Sequence, residues 1–380
     1  MKNSIFNHKC IVFCADHYNP LGLCRSLGEK GINPIVVLTD AHASMLPHCK
    51  YVSEIHYVKN EEDGLNFIIN NYGNEPNKPF IFTGSDDTTR MLDLHYDELK
   101  DKFYFYNGGS QGNITKYQNK EVITETALKC GCDIPKTEVV NKGNLPKALK
   151  YPVITKAIIS EGNWKADMHI CKNEQELLEA YKTIKSNPLL VEEFIVKKNE
   201  LCVDGFSING GSEVWMPYTS EYIRFSDLSY GNYMWMKPLV DDDARSKIQK
   251  VLQEANYSGI FEAEFLIDEE NKLYFLEINF RNSTWSYAYT FGGLNLPYQW
   301  AVSTLNGKID FASANVRKKP FTAMAEINDF CSAVKTGEIS FFKWLIQAYK
   351  TDCHYYYNKK DPSPFWHLLL HTLLRKFRKR

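Results

Sequence analysis

Two neighbouring apolar segments carry acidic and amide side chains at positions where a β-strand ordinarily buries hydrocarbon. The segments run from Ile260 to Ile267 and from Leu273 to Phe280, and we predict that they form a hairpin. Because side chains two residues apart share one face of a strand, Glu277 and Asn279 point the same way. A carboxylate among apolar side chains is tolerated when it is paired or binds a metal. With Glu264 from the first strand, these residues supply the oxygen ligands that Mg²⁺ prefers.

A purely structural hairpin, in which Arg281 neutralises one or two glutamates, remains an alternative to a metal site.

The sequence E-F-L, followed about a dozen residues later by F-L-E-I-N-x-R, resembles the C-terminal metal-binding hairpin of the ATP-grasp superfamily. Members of that superfamily join a carboxylate to a nucleophile through an acyl phosphate. The resemblance implies that Glu264, Glu277 and Asn279 bind Mg²⁺, or Mn²⁺ in its place. It also implies that Arg281 is the catalytic residue that stabilises the tetrahedral oxyanion.

The same resemblance identifies two lysines as ligands of the nucleotide phosphates. Lys120 stands in a helix that enters the expected ATP-grasp domain. Lys156 lies inside the predicted apolar strand YPVITKA, where a lysine requires an anionic partner. The assignment of Lys120 depends on the resemblance, since a lone lysine on a helix is usually solvated. For Lys156 the apolar setting gives independent support.

The segment LLVEEFI resembles the hinge that holds adenine in this superfamily. The resemblance implies that the Glu193 carbonyl and the Ile195 N–H bind the adenine ring and that the Glu200 carboxylate binds the ribose hydroxyls. Glu192 either belongs to this nucleotide site or faces inward to Lys156. Glu200 has the alternative of being an ordinary surface residue.

The clearest departure from the superfamily pattern is the expected phosphate-covering loop. Residues 158–166 read IISEGNWKA, with Gly162 as their single glycine. Backbone N–H groups still cradle phosphate in such a loop, and Ser160 and Lys165 are candidates for further contacts. Whether this loop closes over ATP is left open by the sequence.

The N-terminal region alternates apolar strand segments with a helical segment, at Lys9–Cys14, Leu21–Lys30 and Pro34–Leu38. This alternation predicts βαβ units and a parallel sheet. A later strand is followed by Ser85 and Asp86, at the end of the sheet where such folds bind ligands. These two residues are either substrate contacts or the cap of the next helix.

The acceptor site is less clearly marked. Residues 218–237 carry Arg224 and many aromatic residues but little regular periodicity. Arg224 either binds a substrate carboxylate or forms a structural ion pair. Trp285, Tyr287 and Tyr289 either line the acceptor pocket or belong to the core.

Composition restricts the classes of partner. The formal net charge is −1 and the pI is about 6.8, which gives no general attraction to nucleic acid. No segment reaches the roughly 20 apolar residues of a membrane span, and we expect no secretory signal. The 10 cysteines are scattered, which favours reduced thiols in a cytoplasmic protein.

Residues Phe365 to Arg380 have the pattern of a basic amphipathic helix. Its apolar face comprises Trp366, Leu369, Leu370, Leu373 and Phe377. Its basic residues are Arg375, Lys376, Arg378, Lys379 and Arg380. Such a helix is suited to peripheral contact with an anionic membrane, and the alternative is docking on the body of the protein.

The sequence therefore predicts an α/β protein in three parts. These are an N-terminal parallel-sheet domain over 1–112, a two-part ATP-grasp domain over 113–310 and an extension over 311–380. The expected activity is that of an ATP-dependent carboxylate-amine ligase that releases ADP and phosphate. The alternatives are a carboxylase-type enzyme and a nucleotide-binding sensor without turnover. We also expect small-molecule substrates and no nucleic-acid partner. A homodimer is a further expectation, because many members of the superfamily form pairs.

Overall fold

The computed structural model describes residues 4–158, 164–226 and 229–378. The strands are β1 (Cys10–Cys14), β2 (Ile35–Leu38), β3 (Glu54–Tyr57), β4 (Phe80–Thr83), β5 (Thr137–Val140), β6 (Val153–Lys156), β7 (Ile170–Cys171), β8 (Leu189–Glu193), β9 (Asn199–Ile208), β10 (Glu213–Trp215), β11 (Tyr218–Ser226), β12 (Ser229–Pro238), β13 (Gly259–Ile267), β14 (Leu273–Asn279), β15 (Phe321–Met324) and β16 (Cys353–His354). The helices are α1 (Tyr18–Glu29), α2 (Glu61–Tyr72), α3 (Asp86–Leu94), α4 (Tyr96–Leu99), α5 (Asn113–Tyr117), α6 (Lys120–Lys129), α7 (Glu174–Ala180), α8 (Asp242–Glu254), α9 (Ser286–Phe291), α10 (Leu296–Asn306), α11 (Glu326–Asp329), α12 (Phe341–Lys350) and α13 (Ser363–Arg378). No helix in these ranges combines the length and the apolar character needed to cross a membrane.

The contacts divide the chain into two compact units. Unit 1 contains residues 1–115, 202–262 and 279–380, and unit 2 contains residues 116–201 and 263–278. The three-part division expected from the sequence remains a prediction.

The N-terminal sheet of unit 1 has the strand order β3-β2-β1-β4. All its strand pairs are parallel, and every residue of β1, β2 and β4 is buried. Helical residues such as Leu65, Ile68 and Leu92 pack with Ile11 and Phe13 of the sheet in one core. Strands that are apolar on both faces require such cover, and the predicted parallel-sheet domain is confirmed.

A larger sheet follows the order β14-β13-β9-β11-β12-β15-β16, with β10 paired to β9. The predicted pairing of β13 with β14 is confirmed. Residues 218–237, for which the weak periodicity predicted no strand, contain β11 and most of β12, which pair as long antiparallel strands. Their register shifts between Tyr222 and Arg224 and again after Arg224. These irregularities break the alternation of a regular strand.

Unit 2 contains a third sheet in the order β5-β8-β6-β7, and its pairs are antiparallel. Its core joins Val140, Val153 and Val191 to Leu177 of α7. Asn173 caps α7 by accepting from the Glu176 N–H, as expected for an N-cap residue.

The residues after 320 are built into unit 1. The buried Arg25 of α1 donates from Nε to Asp361 Oδ2 at 2.9 Å and from Nη1 to the Tyr355 carbonyl at 2.7 Å. The Glu326 carboxylate accepts the backbone N–H groups of Tyr355 and Tyr356, both at 3.0 Å. A buried guanidinium is stable only with such a full set of partners, so these contacts hold residues 355–361 firmly in place.

Candidate active site

In unit 2, strand pairing places a lysine and a glutamate side by side. Lys156 ends β6, and Leu190 of β8 is its register partner. Glu192 is two residues further along β8 and therefore projects from the same face. The Lys156 ammonium forms an ion pair with the Glu192 carboxylate, and both side chains are largely buried. Of the two alternatives for Glu192, the structure therefore has the one in which its side chain faces inward to Lys156.

A second cation lies near the hairpin of β13 and β14. Lys120 is the first residue of α6, directly after its cap Asn119. Its Nζ lies 3.8 Å from Glu277 Oε2, which is an ion-pair separation beyond hydrogen-bond length. Lys120 also donates its backbone N–H to the Ile158 carbonyl at 3.2 Å.

Glu200 connects these two pairs electrostatically. Its carboxylate accepts from Lys197 Nζ at 2.5 Å. Burial raises the pKa of Glu200, Lys197 opposes that rise, and the charge of Glu277 reinforces it while Lys156 opposes it. Glu200 is therefore a buried residue, contrary to the surface alternative. One charged network within unit 2 thus contains six residues: Lys120, Lys156, Lys197, Glu192, Glu200 and Glu277.

The hinge residues follow directly from β8. Glu193 is the last residue of that strand, and its N–H donates to the Lys136 carbonyl at 2.8 Å. Phe194 donates to the Pro152 carbonyl at 3.0 Å. Among the described hydrogen bonds, none is donated by the N–H of the half-buried Ile195. A backbone donor at this position suits an exogenous acceptor such as a purine ring.

In unit 1, Arg281 follows the end of β14 and contacts two carboxylates. Its Nε donates to Asp86 Oδ1 at 3.0 Å, and its Nη1 lies 3.9 Å from Glu262 Oε2. The Asn279 amide also donates to Glu262 Oε2, at 3.2 Å. Arg281 is thereby held in one orientation by groups from α3 and β13. No role was predicted for Glu262 from the sequence.

Asp204 of β9 is a second carboxylate for which no role was predicted from the sequence. It accepts from the hydroxyls of Ser283 and Ser286, while its Oδ1 is buried and has no hydrogen-bond partner among the described residues. Burial raises the pKa of Asp204 well above its ordinary value, the charge of Glu262 adds to that rise, and the two serine hydroxyls oppose it. The signal was available in CVDGFSI, where a carboxylate interrupts an apolar strand.

Ser85 and Asp86 have different surroundings. Ser85 caps α3 by accepting the Thr88 N–H at 3.2 Å. Asp86 is the next residue and is the partner of Arg281. The observed contacts therefore give Ser85 a structural part and bring Asp86 to the same place as Arg281.

The other acceptor candidates have structural partners. Arg224 forms an ion pair with Asp329 and donates to Gln347 Oε1 at 2.6 Å. Of the two alternatives for Arg224, the structure therefore has the structural ion pair. The aromatic residues of the acceptor prediction are buried in the core of unit 1: Trp285, Tyr287 and Tyr289.

The predicted metal ligands have the donor types that Mg²⁺ accepts. Residues 4–158, 164–226 and 229–378 contain no group of three or more His, Cys, Asp or Glu side chains that would hold a metal ion. The predicted set does not need one, because it combines the carboxylates of Glu264 and Glu277 with the amide of Asn279. Mg²⁺ commonly takes one or two carboxylates and completes its shell with water and phosphate oxygens. The donor set therefore fits.

Comparison with known proteins adds an independent observation. No family model matches the chain. An N5-carboxyaminoimidazole ribonucleotide synthase from Staphylococcus epidermidis is 25% identical over 225 residues, which cover 56% of this chain and 58% of that protein. The chain thus matches less than two thirds of the length of this relative.

Solved structures extend the match over most of the chain. N5-carboxyaminoimidazole synthetase from Staphylococcus aureus, complexed with ADP, has a TM-score of 0.66 and 18% identity, covering 86% of both chains. An L-amino acid ligase from Bacillus licheniformis has a TM-score of 0.61 and 14% identity, covering 78% of this chain and 74% of that one.

The chain has the fold of the ATP-grasp superfamily. The α/β fold class predicted from the sequence is therefore confirmed. Residues 159–163 of the predicted phosphate-covering loop, including Ser160 and Gly162, lie outside the described part of the chain, as does the side chain of Lys165. The predicted nucleotide and metal ligands remain predictions at the level of individual residues.

Proposed function

We propose that this ATP-grasp protein is an ATP-dependent ligase that joins a carboxylate to an amine. The observation that carries the proposal is the charged network of unit 2, in which paired lysines and glutamates lie on neighbouring elements. Buried ion pairs contribute little to stability compared with apolar packing, and perturbed charges cluster at functional sites. The names of the similar proteins, a carboxyaminoimidazole synthetase and an amino acid ligase, support this reaction class.

We propose that unit 2 binds the nucleotide. Lys120 and Lys156 would contact the phosphates, exchanging their glutamate partners for phosphate oxygens. The Glu193 carbonyl and the Ile195 N–H would bind the adenine ring, and Glu200 would accept from the ribose hydroxyls. The ADP complex of the S. aureus synthetase, which has the same fold, supports a nucleotide site.

We propose Glu264, Glu277 and Asn279 as the residues that hold Mg²⁺, with Mn²⁺ as a substitute. When bound, the ion neutralises phosphate charge and orients the transferred group. The role of the chain is to present oxygen donors from two adjacent strands, with Lys120 beside Glu277 supplying further positive charge. Such preorganised charge lowers the barrier to phosphoryl transfer.

The proposed reaction has two steps. A carboxylate oxygen of the first substrate attacks the γ-phosphorus of ATP, and the bond to the bridging oxygen breaks, which gives an acyl phosphate and ADP. The amine nitrogen then attacks the acyl carbon, inorganic phosphate leaves, and the ammonium proton is lost to solvent. Arg281 would donate to the oxyanion of that second step, and its contacts with Asp86 and Glu262 would fix the guanidinium in advance.

A carboxylase-type reaction is the second candidate, with bicarbonate as the carboxylate. It is favoured by the carboxyaminoimidazole synthases, whose product name describes a carboxyl group added to an amine. A nucleotide sensor without turnover is the third candidate, and it is motivated by the single glycine in residues 158–166.

Phosphate release from Mg-ATP tests these candidates. The purified protein would be supplied with pooled amino acids, pooled small carboxylates or bicarbonate. Glu277→Gln is expected to abolish release, whereas Glu269→Gln, in the exposed turn after β13, is the matched control. Release that needs one pool and disappears only in Glu277→Gln supports the ligase. ADP binding without release from any pool favours the sensor, and absence of ADP binding overturns the nucleotide site.

Two expectations about partners stay predictions. Contact of α13 with an anionic membrane is one, and its side chains from residue 373 onward lie outside the described part. The ring of His367 stacks on His48 with centroids 3.4 Å apart, which supports docking of the first turns on unit 1. Formation of a homodimer is the other.

A further inference from the structure

The helix α12 exposes a continuous apolar stripe. The stripe consists of Phe341, Phe342, Leu345, Ile346 and Tyr349. Their relative exposures lie between 47% and 89%. At about 100° per residue these positions fall within an arc of roughly 140° of the helix surface. Large side chains gathered on one outward face are unusual in a globular protein and mark an interaction surface.

The opposite face of α12 is firmly anchored in unit 1. The Trp344 indole Nε1 donates to Asp329 Oδ2 at 2.9 Å, and Gln347 accepts from Arg224 at 2.6 Å. Ala348 is buried. The helix therefore cannot turn its apolar stripe inward without breaking these contacts.

The charged residues within α12 are both lysines. Residues 341–350 read FFKWLIQAYK, with Lys343 and Lys350 as their charged residues. Both lysines are exposed, and both fall next to the stripe on the helical projection. An outward apolar face bordered by lysines is the pattern of a helix that lies in the interface of an anionic bilayer.

The sequence that follows continues this pattern. Residues 363–380 contain no Asp or Glu, and five of the last six residues are Lys or Arg. Trp366 and Leu370 of α13 are more than half exposed. Basic residues add attraction to anionic lipids at about 1 kcal/mol each near the surface.

The charge of α12 favours a lipid surface over a second copy of the chain as the occupant of the stripe. Lys343 and Lys350 lie beside the stripe, and two copies that met through this face would bring the same positive charges together. An anionic lipid surface complements these charges instead.

We propose that the outer face of α12 is a membrane-contact surface that binds anionic lipid, inserting Phe342, Ile346 and Tyr349 below the headgroups. Lys343 and Lys350 then lie at headgroup level. This surface is independent of the proposed ligase reaction, so either can fail without the other.

Cosedimentation of the full chain with vesicles tests the proposal. The vesicles would be phosphatidylcholine alone or phosphatidylcholine mixed with phosphatidylglycerol. Binding is expected to the anionic vesicles and to weaken with added salt. The triple variant Phe342→Ala, Ile346→Ala, Tyr349→Ala is expected to bind about tenfold more weakly or worse. Lys343→Gln with Lys350→Gln is expected to reduce the preference for anionic lipid.

The matched control replaces exposed apolar residues elsewhere in unit 1, as Phe6→Ala with Val240→Ala and Phe311→Ala. It should bind vesicles as the unaltered chain does, and all variants should keep the same Tm. A further variant, Trp366→Ala with Leu370→Ala, separates α13 from α12. Failure of the full chain to bind anionic vesicles overturns the proposal. So does unchanged binding by the α12 variant, or self-association that this variant abolishes without any vesicle binding.

Discussion

Replacing Lys156 by methionine separates the two roles that its position allows. Lys156 is paired with Glu192 in the observed structure, and the proposed function gives it the nucleotide phosphates. Methionine keeps most of the length of the side chain and removes the charge. A structural role predicts loss of stability alone, whereas a nucleotide role predicts loss of ADP affinity as well.

The expected loss of stability follows from the burial of the pair. Glu192 is buried and Lys156 is largely buried. Removing one partner of such a pair strands the other charge, at a cost of about 3 kcal/mol for a site with some access to water. For a unit of this size, that corresponds to a fall in Tm on the order of 10 °C.

Adding Glu192→Gln to Lys156→Met separates the loss of stability from the loss of nucleotide binding. In the double variant no charge is stranded, because a neutral amide replaces the carboxylate, so the Tm should return to within a few degrees of the original. The lost charge-assisted contact with phosphate should still weaken ADP binding by about 10- to 100-fold. Glu192→Gln alone should bind ADP at least as tightly as the unaltered chain.

Calorimetric titration with ADP, together with thermal unfolding of the same four proteins, measures both quantities. The reasoning fails if the double variant regains full ADP affinity, since Lys156 would then only neutralise Glu192. It also fails if the single variant keeps its Tm, since the pair would then carry no stranded charge.

Three further predictions concern unit 1. Burial lowers the pKa of His17 to about 4, while Arg281 adds to the lowering and Asp16 opposes it. Below pH 6.5 the unfolded chain therefore binds a proton that the folded chain does not bind, and the free energy of unfolding falls by up to about 3 kcal/mol between pH 6.5 and 4. His17→Asn should flatten this dependence of Tm on pH. Asp361→Asn should lower stability by about 3 kcal/mol in denaturant unfolding, because Arg25 is left buried without its carboxylate. Burial raises the pKa of Asp204, so the unfolded chain loses this proton at a lower pH than the folded chain, and the free energy of unfolding falls as the pH rises above about 4. The Tm of Asp204→Asn should therefore rise relative to that of the unaltered chain from about pH 4 upward.

The elements that the sequence predicted best are those with a single strong signal. Strands β1, β2 and β4 are apolar on both faces, so their lengths could be read from the apolar runs. The hairpin of β13 and β14 was equally clear, because the turn Asp268–Lys272 separates two apolar strands. In each case local composition and the tertiary environment agree.

The long strands β11 and β12 were missed because their signal is irregular. The register shifts near Arg224 move side chains out of strict alternation. The strands are also stabilised by partners distant in sequence: β12 pairs with β15, with Tyr233 opposite Met324. Pairing over such a distance leaves no mark in a window of ten or so residues.

Individual candidate residues could be selected from the sequence, but the contacts that they make could not be predicted. Arg281 was found from its motif, whereas its contact with Asp86 joins residues 195 positions apart. The Arg25–Asp361 pair spans 336 positions. Such contacts depend on the whole topology, and a single sequence gives no information on which distant charges meet.

The charge balance of the unit 2 network bears on how a nucleotide would bind. The described network has three lysines, at 120, 156 and 197, and three glutamates, at 192, 200 and 277. It is therefore close to neutral before any ligand binds. A triphosphate adds several negative charges to this neutral site, and Glu277 lies within the same network. An additional cation is required to balance them. In the proposed site, binding would also separate Lys156 from Glu192, so that part of the attraction to phosphate would be offset by the loss of an existing ion pair. Nucleotide affinity should consequently rise steeply with Mg²⁺ concentration in the unaltered chain. It should rise less steeply in Glu277→Gln, where both a proposed Mg²⁺ ligand and a repulsive charge are removed.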